Sequence, residues 1–305
     1  MRVFVTGASG HIGSALVPEL LANGHQVTGL ARSDRSAAAL EAAGAGVRRG
    51  DLDDLDGLRE AAAAADGVVH LAFKHEAMMA GDYLTAVTDD VKALTALGAG
   101  LEGSGKPLVA TGGTLMLAFA GITGRDGTEQ DVLTSGLRVE AENLVIGLAE
   151  RGVRSSYVRL PPIVHSPLDH AGFTHILIAI ARTAGVAAYV GDGANRWPAV
   201  HTLDAARLYQ LALESAPAGS RLHGVADEGV PFREIAEVIG RHLNLPVKSV
   251  DPADAGEHFG MLGGFAGLDN PTSSALTRQL LGWQPTQDGL LDDLERGHYF
   301  DGVPG

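Results

Sequence analysis

Apolar residues along this chain follow two rhythms. Short runs rich in β-branched residues fall at 2–6, 26–30, 47–49, 67–72 and 108–110, while between them apolar positions recur every three or four residues. The first rhythm suits buried strands and the second amphipathic helices. Ile12, Leu16, Leu20 and Leu21 mark the first helix, and Asn23-Gly24 stops it, since both residues tolerate the left-handed conformation. Further helices are predicted over 37–43 and 54–64. A long one spans 82–103 through Leu84, Val87, Val91, Leu94, Leu97 and Leu101. Gly67 to Ala72 shows no polar alternation, as expected of a strand buried on both faces of a parallel sheet. A helix running from Thr134 to Glu150 and a strand ending near Leu160 extend the alternation. Beyond them come helical stretches at 173–183, 205–214, 231–243, 251–259 and 276–281, with a short strand at 246–250. Strand and helix in alternation predict an α/β fold built on a doubly wound parallel sheet.

The first turn carries chemistry. Thr6-Gly7-Ala8-Ser9-Gly10-His11-Ile12-Gly13 joins the first strand to the first helix, and a second strand follows. A diphosphate can rest on the free N–H groups of a helix start only if the backbone comes close, so Gly7 and Gly10 leave that room. Gly13 removes a side chain that would hold helix and strand apart. The strand–turn–helix context makes this a dinucleotide site rather than a lone glycine triplet.

Composition narrows the classes. Lys plus Arg number 23 against 37 acids, a net charge of −14, which argues against nucleic-acid or anionic-membrane partners. The 305 residues include no Cys, so a disulfide framework is excluded and a cytoplasmic setting is expected. No run approaches the roughly 20 apolar residues of a spanning helix, and no metal-ligand spacing is present.

The spacing T-G-x-x-G-x-x-G resembles the short-chain dehydrogenase/reductase superfamily, especially its extended members, similar to epimerases, dehydratases and 3β-hydroxysteroid dehydrogenases. Later landmarks agree: Arg159-Leu160-Pro161-Pro162-Ile163-Val164-His165 resembles the exit of strand six, and Gly282-Trp283-Gln284-Pro285 a late structural motif. The resemblance implies a Rossmann dinucleotide-binding domain over 1–165 and a smaller C-terminal substrate lobe over 166–305, with 199–225 returning to the Rossmann sheet. It places Gly7, Ser9, Gly10, His11 and Ile12 around the diphosphate, Asp51 and Leu52 at the adenine, Leu71, Ala72 and Phe73 along the cofactor, and Pro161 and Ile163 at the nicotinamide amide. It also implies a homodimer built from the helices of 82–103 and 134–151. At the end of the second strand, Arg32 with Ser33 favours the 2′-phosphate of NADP(H), with Asp34 keeping NAD(H) as the alternative.

The chain departs from the family at the catalytic helix. The family's Tyr-x-x-x-Lys is absent: aligned on Glu142, Arg138 takes the Lys position and Thr134 the Tyr position. Arg138 is a permanent cation able to bond a ribose, but a threonine hydroxyl is far too weak an acid to replace a phenol. The family's Ser or Thr after strand five falls at Gly113, leaving Thr114 or Thr111 to hold the reacting oxygen. Tyr83, His75, His165 and His201 are the candidate acids. Lys74, Tyr83, Asn195, Arg196, Trp197 and His201 are the substrate-contact candidates, Arg196 and Trp197 for a planar or anionic group. The expected activity is NADP(H)-linked hydride transfer on a small carbonyl, alcohol or related unsaturated substrate. Two alternatives stand beside it: a dinucleotide-binding sensor without turnover, and a nonredox isomerase or lyase.

Overall fold

The computed structural model describes residues 1–136 and 138–301; Leu137 and residues 302–305 lie outside the described residues. The strands are β1 Arg2–Thr6, β2 Gln26–Ala31, β3 Gly46–Arg49, β4 Gly67–His70, β5 Pro107–Gly113, β6 Arg154–Leu160, β7 Ile163–His165, β8 Ala187–Val190, β9 Arg196–His201, β10 Ser220–His223, β11 Asp227–Pro231 and β12 Val247–Val250. The helices used below are α1 His11–Ala22, α2 Asp34–Ala42, α3 Leu55–Ala64, α4 His75–Met79, α5 Tyr83–Leu101, α6 Leu115–Phe119, α7 Val139–Gly147, α8 Phe173–Ala184, α9 Thr202–Ser215 and α10 Phe232–Leu243.

Seven parallel strands form one sheet in the order β10-β6-β5-β4-β1-β2-β3. The order reverses between β1 and β4, so a crevice opens beyond the carboxyl ends of those two strands. Helices α1, α2 and α9 cover one face through Leu16, Leu20, Leu40 and Leu213. Helices α3 and α5 cover the other through Leu58, Leu97 and Leu101. β4 is buried at every residue, as its unbroken apolar run requires. Caps fix the helix starts: Ser33 and Ser36 form a reciprocal box on α2, Asp54 accepts from the Gly57 amide, and Asp82 accepts from the Thr85 amide.

The lobe has its own core, in which Leu177, Ile178, Phe232, Ile235 and Ile239 pack around Trp197. Its sheet runs β11-β9-β7, and β8 pairs with β12. The segment 199–225 divides between the two bodies. β9 pairs with β7 and β11 in the lobe, whereas α9 packs on the large sheet and β10 is its edge strand beside β6. Helix α9 begins earlier than the sequence suggests because the His201 ring accepts the Leu203 amide as its cap. Asp204, three residues further on, does not cap the helix: its carboxylate accepts the amides of Thr286 and Gln287.

One difference matters for function. The helix expected from Thr134 starts only at Val139, because Arg138 takes a left-handed conformation with φ 62° just before it. A non-glycine residue held there is uncommon and costs energy that its surroundings must offset.

Candidate active site

The crevice floor is the β1–α1 turn. Gly7 has φ 68°, and a Cβ on it would lie 2.7 Å from the Ala72 nitrogen. A Cβ on Gly13 would lie 2.2 Å from the Gly7 carbonyl oxygen. The Gly10 amide donates to that same carbonyl at 2.9 Å, closing the turn. No side chain caps α1 and no acidic residue stands in its first turn, so its amino end faces the crevice as a bare, positive helix terminus. This cradle fits a dinucleotide diphosphate. Ser9 and Gly10 are exposed on it, and Ile12 is half-buried. His11 turns aside: its Nε2 lies 2.7 Å from the Thr202 hydroxyl, tying the turn to α9. Burial lowers its pKa, against the pull of Asp169.

At the adenosine end, Arg32 is exposed and pairs with Glu76 of α4 at 2.5 Å. Ser33 spends its hydroxyl on the α2 cap. Asp51 accepts the amides of Asp53 and Asp54, which shapes the turn after β3, and Leu52 is buried in the α3 layer. Lys74 is held between Asp53 and Asp89, 2.7 Å from each. Leu71, Ala72 and Phe73 follow β4 as a half-buried edge of the crevice.

The chemical end gathers around Arg138. Its Nη2 donates to the Thr111 carbonyl at 2.8 Å and lies 3.5 Å from Asp90 Oδ2, while its guanidinium sits 4.3 Å from the centre of the Phe73 ring. Asp90 is buried on α5, and its other oxygen bonds His70 Nε2 at 3.1 Å; His70 Nδ1 in turn meets the Thr6 hydroxyl at 2.8 Å. This chain from β1 through β4 and α5 to Arg138 fixes the cation at the end of β5. It leaves Arg138 Nε buried and, among the described residues, without a partner, a donor still to be satisfied.

Of the four candidate acids, two stand near this cation. His75 is exposed as a residue, but its ring packs edge-on against Phe73 at 5.2 Å, and this partial desolvation, reinforced by the Arg138 charge, lowers its pKa. Burial raises the pKa of the Tyr83 phenol, opposed by Arg138. At neutral pH the imidazole is therefore uncharged and the phenol protonated. The other two lie elsewhere. His165 is fully buried with Nδ1 2.9 Å from Asp293, and His201 caps α9.

The threonines are placed otherwise than expected. Thr111 donates to the His70 carbonyl and bonds Tyr209 of α9 at 2.8 Å, so its hydroxyl serves the opposite face of the sheet. Thr114 is fully buried, and its oxygen accepts from Asn270 Nδ2 at 2.8 Å, joining the end of β5 to the lobe. Thr134 lies exposed before α7, lining an open groove with Val91, Thr95, Asn143 and Leu144 rather than joining the Arg138 network. Among the substrate-contact candidates, Asn195 holds the carbonyls of Ala266 and Leu268, Arg196 makes a two-pronged pair with Asp269, and Trp197 is buried in the lobe core. Pro161 and Ile163 are buried at the exit of β6.

Sequence reasoning missed Asp90, His70, Asn270 and Tyr157. Asp90 had a signal: it occupies a core position in the three- and four-residue pattern of α5, where a lone carboxylate needs a partner. Tyr157 projects from β6 into the space that a side chain on Gly112 would fill, and its hydroxyl is buried without a partner among the described residues.

The NAD dependent epimerase/dehydratase family matches residues 3–89. An uncharacterized protein of Schizosaccharomyces pombe is 47% identical over 98% of this chain and 100% of its own length. The chain belongs to the NAD-dependent epimerase/dehydratase family. A 2-alkyl-3-oxoalkanoate reductase of Stenotrophomonas maltophilia is 29% identical over 81% of this chain and 77% of its own. Among solved structures, a dTDP-glucose 4,6-dehydratase of Streptomyces venezuelae superposes with a TM-score of 0.76 at 22% identity, covering 98% of this chain and 96% of that one. That similarity is one of fold, extending to the seven-stranded Rossmann sheet. Among the described residues, no helix is long and apolar enough to cross a membrane.

Proposed function

We propose that this protein is an NADP(H)-dependent oxidoreductase that reduces a small carbonyl, or oxidises the matching alcohol, in an atypical active site. The observation that carries this reading is the buried Asp90–Arg138 pair at the end of β5, with the protonated Tyr83 phenol and neutral His75 near it. The nicotinamide supplies the hydride chemistry when bound. Arg138 fixes a positive charge and an unpaired Nε–H at the crevice, where they favour a partly negative oxygen or a ribose hydroxyl. Tyr83 holds a proton at its hydroxyl and delivers it to the reacting oxygen. Arg138 favours that transfer by opposing the effect of burial. Neutral His75 can accept a proton from solvent to restore the phenol. The relative named as a 2-alkyl-3-oxoalkanoate reductase supports carbonyl reduction as the reaction class.

The test follows reduced-nicotinamide absorbance over a panel of ketones and aldehydes, with dinucleotide titrations in parallel. Tyr83→Phe is expected to lower kcat about 100-fold, the usual worth of a positioned acid, while leaving cofactor affinity unchanged. Wild-type turnover by that variant would remove Tyr83 from the mechanism. Tight binding with no turnover on any carbonyl would instead support a sensor, a reading favoured by the engagement of the Thr111 and Thr114 hydroxyls in internal hydrogen bonds.

Cofactor choice is tested at Arg32. Arg32→Ala is expected to weaken NADP+ about tenfold, equivalent to about 1.4 kcal/mol, with NAD+ affinity changed less than about twofold, because only the 2′-phosphate uses that charge. Equal losses for both dinucleotides would refute the NADP preference.

A further inference from the structure

We propose that the crevice is built for substrates whose body is an aryl or alkyl group without phosphate, received by a wall of Phe119, Phe265 and Phe173. The inference rests on the carbonyl-reductase reading above and names the substrate class of that same site. Helix α6 leaves the end of β5 immediately after Thr114, and its last residue, Phe119, keeps 53% of its surface exposed. Phe119 thus stands one short helix beyond the carboxyl end of β5, the side of the sheet on which the crevice opens, and it is not a scattered apolar residue but the end of an aromatic cluster. Phe119 meets Phe265 edge-on at 5.6 Å, and Phe265 stacks on Phe173 at 6.3 Å. Phe173 lies 5.9 Å from Trp197, which packs on Phe232 at 4.9 Å. The aromatic array thus runs unbroken from the lobe core to the exposed ring of Phe119.

Polar contacts set this wall in place. Asn195 anchors the carbonyls of Ala266 and Leu268 on either side of the loop's end, and Asn270 bonds Thr114 at 2.8 Å. The loop carrying Phe265 is therefore fastened to the lobe and, two residues beyond Leu268, to the end of β5. The reacting carbonyl would lie toward Arg138 and the body of the molecule along the phenyl rings.

Apart from Arg138, the cations beside this wall are engaged. Arg196 donates to both oxygens of Asp269, at 3.1 and 2.9 Å, and also lies 4.0 Å from Asp126; Arg125 pairs with Asp131. A nucleotide diphosphate entering here would have to break one of these pairs, and Asp126 and Asp269 would repel it. An apolar body breaks none. The fold is that of a nucleotide-sugar dehydratase, but this wall suits a different substrate.

The experiment measures binding by calorimetry to protein saturated with NADP+. Acetophenone and 2-octanone serve as aryl and alkyl probes, and UDP-glucose as the phosphate-bearing one. Both ketones should bind more tightly than UDP-glucose. Phe265→Ala and Phe119→Ala should each weaken the better ketone about tenfold, as expected for loss of a buried phenyl contact, with NADP+ affinity within about twofold of wild type. Phe119 is exposed, so its variant keeps the test valid if Phe265→Ala misfolds. Tighter binding of UDP-glucose, binding of neither ketone, or ketone affinities indifferent to Phe119→Ala would each overturn the proposal. Failure of NADP+ and NAD+ to bind would instead sink the oxidoreductase reading, and the same comparison on free protein would still decide what the wall receives.

Discussion

Gly13→Ala should abolish dinucleotide binding, weakening it by at least about 100-fold, and lower the melting temperature. The added Cβ would lie 2.2 Å from the Gly7 carbonyl oxygen and 2.6 Å from the Ala8 carbonyl carbon, both backbone atoms that no rotamer change can move. Relief requires α1 to move off β1, or the turn to open. Either displaces the exposed amides that would hold the diphosphate, and a shift of about 1 Å is enough to cost a factor of 100 where geometry is preorganised. Overpacking alone costs about 1–3 kcal/mol, so the variant should fold but melt earlier. Gly147→Ala provides the control: it lies in α7 with nothing within 4 Å of the added carbon, and should gain up to about 1 kcal/mol from helix propensity. NADP+ titration and thermal denaturation of the two variants check the argument together. Wild-type affinity in Gly13→Ala would mean that the turn is not the diphosphate cradle.

The parts of the molecule legible in the sequence are those that local physics dictates. Gly7, Gly10 and Gly13 announce a close backbone approach, as found, and the apolar run from Gly67 to Ala72 announces a doubly covered strand, which forms but stops at His70, leaving Leu71 and Ala72 half-buried beyond it. The candidate site at the end of β5 is harder to read because its side chains are committed by distant partners. Thr111 is claimed by Tyr209 and Thr114 by Asn270, 98 and 156 residues away. Arg196 is neutralised by Asp269, whose place opposite it depends on how the lobe closes. Thr134 could not be placed by periodicity, since the positive φ of Arg138 delays α7 until Val139. Tyr83, one of the four candidate acids, comes under the influence of Arg138 from α5, a pairing of two distant elements that no residue spacing announces.

The largest stability effect should come from Glu142→Gln, which is expected to cost about 3–5 kcal/mol, the usual result of stranding a buried charge. Glu142 is fully buried on α7 and receives Arg159 Nε at 2.8 Å, Arg159 Nη2 at 2.5 Å and Arg221 Nε at 2.7 Å. Two guanidinium groups thus share one carboxylate. An amide there loses the charge and turns an NH2 toward donors, leaving the wholly buried Arg159 without a counter-ion. Its remaining partners, the Asp131 carbonyl and His223 Nε2, are neutral. The imidazole of His223 must stay uncharged to accept from Arg159 while Nδ1–H donates to the Ser273 carbonyl at 2.7 Å. Burial, reinforced by the Arg159 charge, accordingly holds its pKa down to about 4. The unfolded chain takes up this proton near pH 6.5, well before the folded one does, so the His223 contribution is complete above that pH and is lost as pH falls toward 4. Urea denaturation at several pH values reads both effects: Glu142→Gln lowers the midpoint at pH 7, and wild-type stability declines between about pH 6.5 and 4. An unchanged midpoint for Glu142→Gln would show that the two arginines do not depend on this carboxylate to remain buried between β6, β10 and α7.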